Sequence, residues 1–567
     1  MKKKEFFRWA VLCFTLLVLM VPAPCLGWDD GMEVLKYYFK IDSTPRHQGF
    51  PDIQYNPIEN EFMGFWPSSG KLREDCDPSD DLECTNEFDS IDGRRISPDG
   101  EILGDPIQVS PPEIGFKAFN RVAYNVFTNE YVIGFTSGAS YVAAEIQIAR
   151  VDSIGGIQFG PTTLYPATSD AGHTEMVFNP VRREYLVVYN DRNVFNEYTN
   201  NVGFILNEDG IPIKGPFPVG STDALLIKGG AYYAPRCDYN WKDDTYLCAW
   251  EDFRNPGWDL YAPCDIYGTL LDAEGNMLVE IPVMDDAGMP DEGNQRVPVP
   301  IYNPDKNEFL VVYKDEPASG PASSEGWIMG RIINADGTLA GPAFLIENHP
   351  RIQHWPAVEY VEEMKKYFMV WNDFRDDGQP PGTPFYLSGD MDIYARWLDD
   401  SGRPIGDEIL IADSEDWQFG PTVNYNPVMK RFLITWMDGN AVDDYGPLTD
   451  PDSMGADIPN DIRGTLYGAP SFVSGRIIEA ETGRPVEDAC ALVIGPALPA
   501  LKKTNVGGWF NVERDTQPNG KYLVVVFKLG YSLAIQAVDY TGEPLSYAIE
   551  MNTDSYTHLT LPTTPYV

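Results

Sequence analysis

The sequence predicts an all-β chain: a seven-bladed β-propeller whose last blade is closed by the N-terminal strand, followed by a small β-sandwich. Three observations carry this expectation. A two-strand aromatic motif recurs seven times. Each copy continues into a third strand, and most copies then add an acidic turn closed by Gly and a short fourth strand. After Ser471 the pattern changes to that of a separate strand-rich unit. The 50 Gly and 47 Pro fit many turns between short strands, and 43% hydrophobic with 13% aromatic residues supply a large core.

The chain opens as an export leader. Lys2, Lys3, Lys4 and Arg8 accompany an apolar run from Trp9 to Val21, small residues follow, and cleavage is expected after Gly27. Residues 1–27 are therefore read as a signal peptide. Cys25 offers a lipoprotein alternative, which Pro24 directly before it fits poorly. No other apolar run reaches the roughly 18 residues of a spanning helix. The expected location is secreted or cell-surface, with the periplasm as the alternative.

The repeat region spans residues 33–470. Its clearest copies are PTVNYNPVMKRFLITWMD, VPIYNPDKNEFLVVYKD, EMVFNPVRREYLVVYND and PAVEYVEEMKKYFMVWND; PDIQYNPIENEFMGFW, NRVAYNVFTNEYVIGFTS and PRCDYNWKDDTYLCAWED are weaker. An aromatic opens the second strand in every copy: Phe62, Tyr131, Tyr185, Tyr246, Phe309, Tyr367 and Phe432. Four residues on stands another: Trp66, Phe135, Tyr189, Trp250, Tyr313, Trp371 and Trp436. Even spacing puts both on one face of a strand, where such a ladder is expected to be core. Asn and Pro between the first two strands predict a tight hairpin. Third strands such as CDIYGTLLDAEG and GWIMGRIINADG lead to turns closed by Gly100, Gly210, Gly275, Gly337 and Gly402. Four antiparallel strands recurring about every 60 residues describe a propeller blade. The seventh copy ends at Asp461–Gly468 without a fourth strand, and the spare strand Lys36–Ile41 precedes the first copy. Pairing the two closes the ring and removes its sheet edges.

The pattern from Lys36 to Gly468 resembles the YNP, NEYLVVW and DIYGR repeats of bacterial exported propeller-like proteins. That resemblance is specific for architecture and silent on function. The Ser-x-Asp-x-Gly-x-x-Trp box of sialidases is absent from the third-to-fourth strand turns, as are the paired glycines of kelch blades. Residues 472–553 resemble the carboxypeptidase-regulatory-like domain, a transthyretin-like sandwich. The matching features are Gly475, the turn Thr482-Gly483-Arg484-Pro485-Val486, Gly508 before Trp509-Phe510, Gly520 before Tyr522, and Gly530-Tyr531. The resemblance implies an accessory module, with carbohydrate binding as one role that related folds serve. Residues 554–567 continue no pattern of the chain and resemble a translated sequencing-adapter end; they are set apart from the fold.

Six cysteines remain after the leader, and export permits disulfides. Cys76 and Cys84 bracket an acidic loop and form one candidate pair. Cys237 and Cys248 face each other in the hairpin register and form a second; Cys264 and Cys490 are left over. No zinc-type spacing is present.

The formal charge of −43 repels nucleic acid and anionic membranes and suits solubility or cation binding. The turns NADG, DAEG and NEDG and two longer acidic inserts are candidate calcium ligands, though they are shorter than an EF-hand loop and lack its final Glu. No other cofactor is indicated. HExxH, GxSxG and phosphate-loop motifs are absent.

Ligands of such a ring are expected at the mouth of its central channel, on the loops entering each first strand. Aligned on the hairpin residue Asn56, Asn125, Asn179, Asn240, Asn303, Val361 or Asn426, the position eight upstream holds Gln48, Lys117, Ala171, Tyr232, Gln295, Gln353 or Gln418. Beside it stand His47, His173, Lys228, Arg296, His354, Trp355 and Trp417. Gln and Trp suit sugar hydroxyls and ring faces; His, Lys and Arg suit a carboxylate or sulfate. A residue repeating in register is more often architectural, so Gln capping the loop backbone is the competing reading. The recurring acid after the second strand (Asp191, Asp252, Asp315, Asp373, Asp438) is expected to make a structural bond. The chain is read as a monomeric, exported binding protein for a glycan or an extracellular protein. A carbohydrate-active hydrolase or lyase and a structural cell-surface protein are the alternatives.

Overall fold

The computed structural model describes residues 32–42, 44, 48–69, 88–112, 116–138, 144–165, 172–192, 199–221, 232–252, 264–284, 294–316, 326–349, 351–375, 391–414, 417–439, 460–496, 499–513 and 518–553. Among them every regular element is a β-strand. No described helix is long and apolar enough to cross a membrane. The described residues from Glu33 to Thr553 belong to one compact unit.

Seven four-stranded antiparallel sheets follow one another along the chain, each built from consecutive strands except the last. Their first strands are Asp52–Asn56, Phe116–Asn125, Gly172–Asn179, Tyr232–Asn240, Asn294–Asn303, Gln353–Val361 and Trp417–Asn426. Each first strand contacts the next, and Trp417–Asn426 contacts Asp52–Asn56, so the succession returns to its start. The seventh sheet takes its fourth strand from Glu33–Lys40, which pairs antiparallel with Asn460–Gly468. The expected spare strand therefore closes the last sheet, three residues earlier than its predicted start.

The aromatic repeat explains the stacking. All fourteen ladder rings are fully buried. On the second strands the ladder faces one neighbouring sheet and the residues between, most of them aliphatic, face the other. Tyr246 and Trp250 of the fourth sheet pack with Leu186 and Val188 of the third, while Leu247 and Ala249 pack with Phe309 and Tyr313 of the fifth. The same alternation joins the seventh sheet to the first, where Leu433 and Met437 meet Phe62 and Trp66. Each ring buried this way contributes on the order of 2–3 kcal/mol of apolar transfer.

A second repeat locks the hairpin ends. Asn56 Oδ1 accepts the N–H groups of Ile58 (2.9 Å) and Glu59 (3.0 Å), and its Nδ2 donates to Asn129 Oδ1 of the next sheet at 2.9 Å. Asn179 and Asn240 repeat this, donating to Asp244 and Asn307. Asn426 donates to Asn60 at 2.9 Å and so links the seventh sheet to the first. One side chain satisfies the turn and ties two sheets, which is why Asn recurs at this position.

Residues 471–553 add two sheets. Ser471–Glu479 lies between Trp509–Glu513 and, in parallel, Leu545–Met551; the other sheet runs Ala500–Lys503, Cys490–Ile494, Gly520–Phe527, Ala534–Tyr540. Phe472, Val493, Phe510, Tyr522, Val524 and Ile549, drawn from both sheets, share one core. Cys237 and Cys248 are directly opposed in the fourth sheet and form a disulfide. Cys264 is buried and Cys490 half-buried, and neither is disulfide-bonded. Cys76 and Cys84 lie outside the described residues.

Candidate functional site

The first strands carry the candidate site, and a shared irregularity shapes it. Six of the seven carry a register shift near their start, for example between Gly172 and Glu175 and between His354 and Ala357. Two residues beyond the aligned Gln position the backbone turns left-handed at Phe119 (φ 50°), His173 (43°), Val297 (52°), Trp355 (49°) and Gly420 (63°). A bulge of this kind re-aims the side chain it carries. Large side chains held at positive φ cost on the order of 1–3 kcal/mol each, so the surrounding structure must enforce them.

The bulge layer gathers aromatic rings. Phe50 of the first sheet stacks on Trp355 of the sixth with centroids 5.4 Å apart, and Phe419 of the seventh meets both, at 5.7 and 5.1 Å. Gly420 makes room, since a Cβ there would lie 2.9 Å from the Phe50 ring. His354 stacks on Trp355 at 5.6 Å. In the neighbouring second and third sheets, Phe119 and His173 stack at 3.9 Å. Burial keeps both imidazoles neutral: His173 is pushed down to about 3, with Arg121 adding to the effect, and His354 is held well below the usual range with Lys314 and Arg296 nearby.

Below this layer the strands alternate apolar and polar residues, and polar side chains of neighbouring first strands meet. Asp52 accepts the Val122 N–H at 2.8 Å. Glu175 Oε2 lies 3.6 Å from Arg121 Nε and 3.3 Å from Arg236 Nη1. Asp238 accepts the N–H groups of Tyr302 (2.6 Å) and Tyr239 (2.8 Å), and Asn424 accepts that of Tyr55 at 2.8 Å. Burial pushes Asp238 up to about 6 and Glu359 up to about 8; the charge of Asp238 adds to the shift of Glu359.

The predicted residues divide clearly. Gln48, Gln295, Gln353 and Gln418 are fully buried. Their backbone or side chain bridges neighbouring sheets: the N–H groups of Gln295, Gln353 and Gln418 donate to the carbonyls of Cys264, Gly326 and Met391, and Gln48 Oε1 accepts the Ile462 N–H at 3.0 Å. Lys117 is 2% exposed and donates to the Asp89 carbonyl at 2.9 Å. Trp417 packs with Ile352, Phe374 and Met391. Arg296 stands 3.7 Å from Glu251, whose other oxygen accepts the Val297 N–H at 2.9 Å. His173, His354 and Trp355 belong to the aromatic layer. His47 and Lys228 lie outside the described residues. Phe50, Phe119 and Phe419 were missed, although Phe50 and Phe119 share the register position of His173 and Trp355. The inner polar set was missed too, although RVAYN, EMVFN, RCDYN and AVEYV place charges on one face of a first strand.

The recurring acids make structural bonds. Asp252 and Asp373 accept the indole N–H of Trp250 (3.0 Å) and Trp371 (2.9 Å), and Asp315 accepts from Gln295 at 2.9 Å. In the acidic turns Asn207, Asp272 and Asp399 accept N–H groups of their own turn. Among the described residues no three metal-ligating side chains converge.

By sequence the chain matches no family model and no curated protein. By structure it is similar to an unknown-function protein from Dyadobacter fermentans DSM 18053 (11% identity, TM-score 0.41, covering 77% of this chain and 99% of that one). It is also similar to a PL25 ulvan lyase bound to -[GlcA(1-4)Rha3S]- (10%, 0.46, 75% and 96%). A third similar structure is the GH93 α-L-arabinofuranosidase of Fusarium graminearum with arabinobiose (9%, 0.40, 77% and 97%). These similarities are distant.

Proposed function

We propose that the seven sheets are the blades of a β-propeller, that residues 472–553 form a transthyretin-like sandwich, and that the protein is an exported binder of neutral carbohydrate at the channel mouth. The observation that supports this most is the Phe50, Trp355 and Phe419 group, three rings from three sheets that meet at the bulge layer. Aromatic faces bind the apolar faces of sugar rings, and the neutral, half-buried imidazoles of His173 and His354 complement hydroxyls.

The pairing of charges favours a neutral ligand over an acidic one. Arg296 is matched by Glu251, Lys314 by Glu316, and Arg375 by Asp373. Glu251 and Glu316 are 4% and 14% exposed and are the partners of these cations, which supports a binding role.

Titration calorimetry with neutral oligosaccharides chosen on a glycan array tests the reading. Binding should change little with salt, and Trp355→Ala should weaken it about 30-fold, the roughly 2 kcal/mol of an aromatic anchor. Failure of every neutral glycan to bind, or an affinity indifferent to Trp355→Ala, overturns it.

A further inference from the structure

The strand Gly520–Phe527 reads GKYLVVVF, without the polar alternation of a sheet that has one wet face. One set of its side chains, Tyr522, Val524 and Val526, enters the core of the C-terminal unit. The other set points outward. In register, Leu501, Leu492, Val525 and Ile535 form one row across all four strands, and Ile494, Leu523 and Ala537 form the next. Ile494, Leu501, Leu523 and Ile535 are 42%, 47%, 45% and 60% exposed, and Leu533 beside them is 58% exposed. This is an apolar sheet face of several hundred Å², beyond what scattered surface residues leave.

We propose that this face packs against the same face of a second copy of the chain, forming a two-fold dimer. Area and charge both favour that occupant. One such patch is small, but an isologous contact covers it twice and approaches the ~1,200 Å² of the smallest specific interfaces. Two molecules of charge −43 repel, yet residues 471–553 carry seven basic and nine acidic residues, so approach is least opposed here. Charges at the edge are internally matched: Lys503 lies 3.6 Å from Asp488, and Lys521 pairs in register with Asp539. Neutral apolar sheets stack on one another as in a sandwich interior. The dimer replaces the monomer expected from sequence and does not depend on the carbohydrate reading.

Sedimentation equilibrium of the full secreted protein tests it. The expected result is a reversible dimer with a Kd of about 10 μM or lower, tightening as salt screens the acidic sheets. Leu523→Lys with Ile535→Lys should weaken it at least 100-fold while circular dichroism stays unchanged. Ile535→Ser, at the most exposed of these strand positions, serves if the double variant fails to fold, and should weaken dimerisation measurably. Cys490 pairs in register with Lys503 and Phe527 on this face, so its alkylation, read by mass spectrometry, should slow as wild-type concentration rises. A monomer up to about 100 μM at low and high salt, a folded variant that dimerises like the wild type, or a Cys490 rate independent of concentration overturns the proposal.

Discussion

Glu359 shows how one buried residue couples stability to solution conditions. It stands on the first strand of the sixth sheet, and burial with the nearby charge of Asp238 raises its carboxyl to about 8 from an ordinary 4.5. A folded-state value above the unfolded one means the folded protein holds the proton more tightly between them. Its contribution is complete below about pH 4.5 and is lost as pH rises through 8. Asp238 acts in the same direction between 3.8 and about 6. Below about 6.5 the neutral imidazoles of His173 and His354 act in the opposite direction, so melting temperature should fall as pH is raised from about 6.5 to about 8, with at most ~1.4 kcal/mol per pH unit from one group. Glu359→Gln should flatten that slope and stabilise the protein at pH 8, as thermal melts across the range will read. A slope unchanged by the substitution would remove Glu359 as its source. The charged residues of EMVFN or AVEYV are visible in the sequence as one face of a strand. Their partners are not, because Arg121, Glu175 and Arg236 come from three different sheets.

The element that matters most is the strand Glu33–Lys40. It covers the open edge of Asn460–Gly468, with Tyr38 Oη donating to Asp438 at 2.5 Å, Lys36 2.8 Å from Glu101 and Lys40 2.9 Å from Asp461. Deleting residues 33–40 should cost several kcal/mol, lower the calorimetric midpoint by roughly 10 °C or more, and promote aggregation through the bared edge. A truncated protein that melts like the parent would show that closure contributes little. The need for this strand was legible because the seventh copy lacks a fourth strand. The disulfide was legible for a related reason: hairpin register alone sets Cys237 against Cys248. The bulges were not legible, since Phe, His, Val and Trp at one register position do not announce a left-handed backbone.

At the scale of the whole molecule, the C-terminal unit is held to the hairpin ends of the first and seventh sheets. Trp509 Nε1 and Asn505 Nδ2 donate to the carbonyls of Ile58 (3.1 Å) and Pro57 (2.7 Å), Arg476 lies 3.4 Å from Glu59, and Lys430 lies 2.9 Å from Glu513. Gly507 allows this approach, because a Cβ would fall 2.3 Å from the Ile58 carbonyl oxygen and 2.5 Å from that of Pro57. Gly507→Ala should force the contact apart, separating a single calorimetric transition into two and enlarging the radius of gyration seen by small-angle scattering. One unchanged transition with an unchanged radius would place the coupling elsewhere.

Strand alternation, the sevenfold repeat, the hairpin Asn and the spare first strand are local or periodic signals, and each reflects a steric or hydrogen-bonding rule acting within a few residues or between equivalent positions. They determined the repeated four-stranded sheets and the pairing of the first strand with the last of them. The meeting of Phe50 with Trp355, more than three hundred residues apart, depends on how the sheets stack and on the backbone irregularities at Trp355 and Gly420. Only the tertiary structure decides that, because the meeting requires the seventh sheet to pack between the sixth and the first.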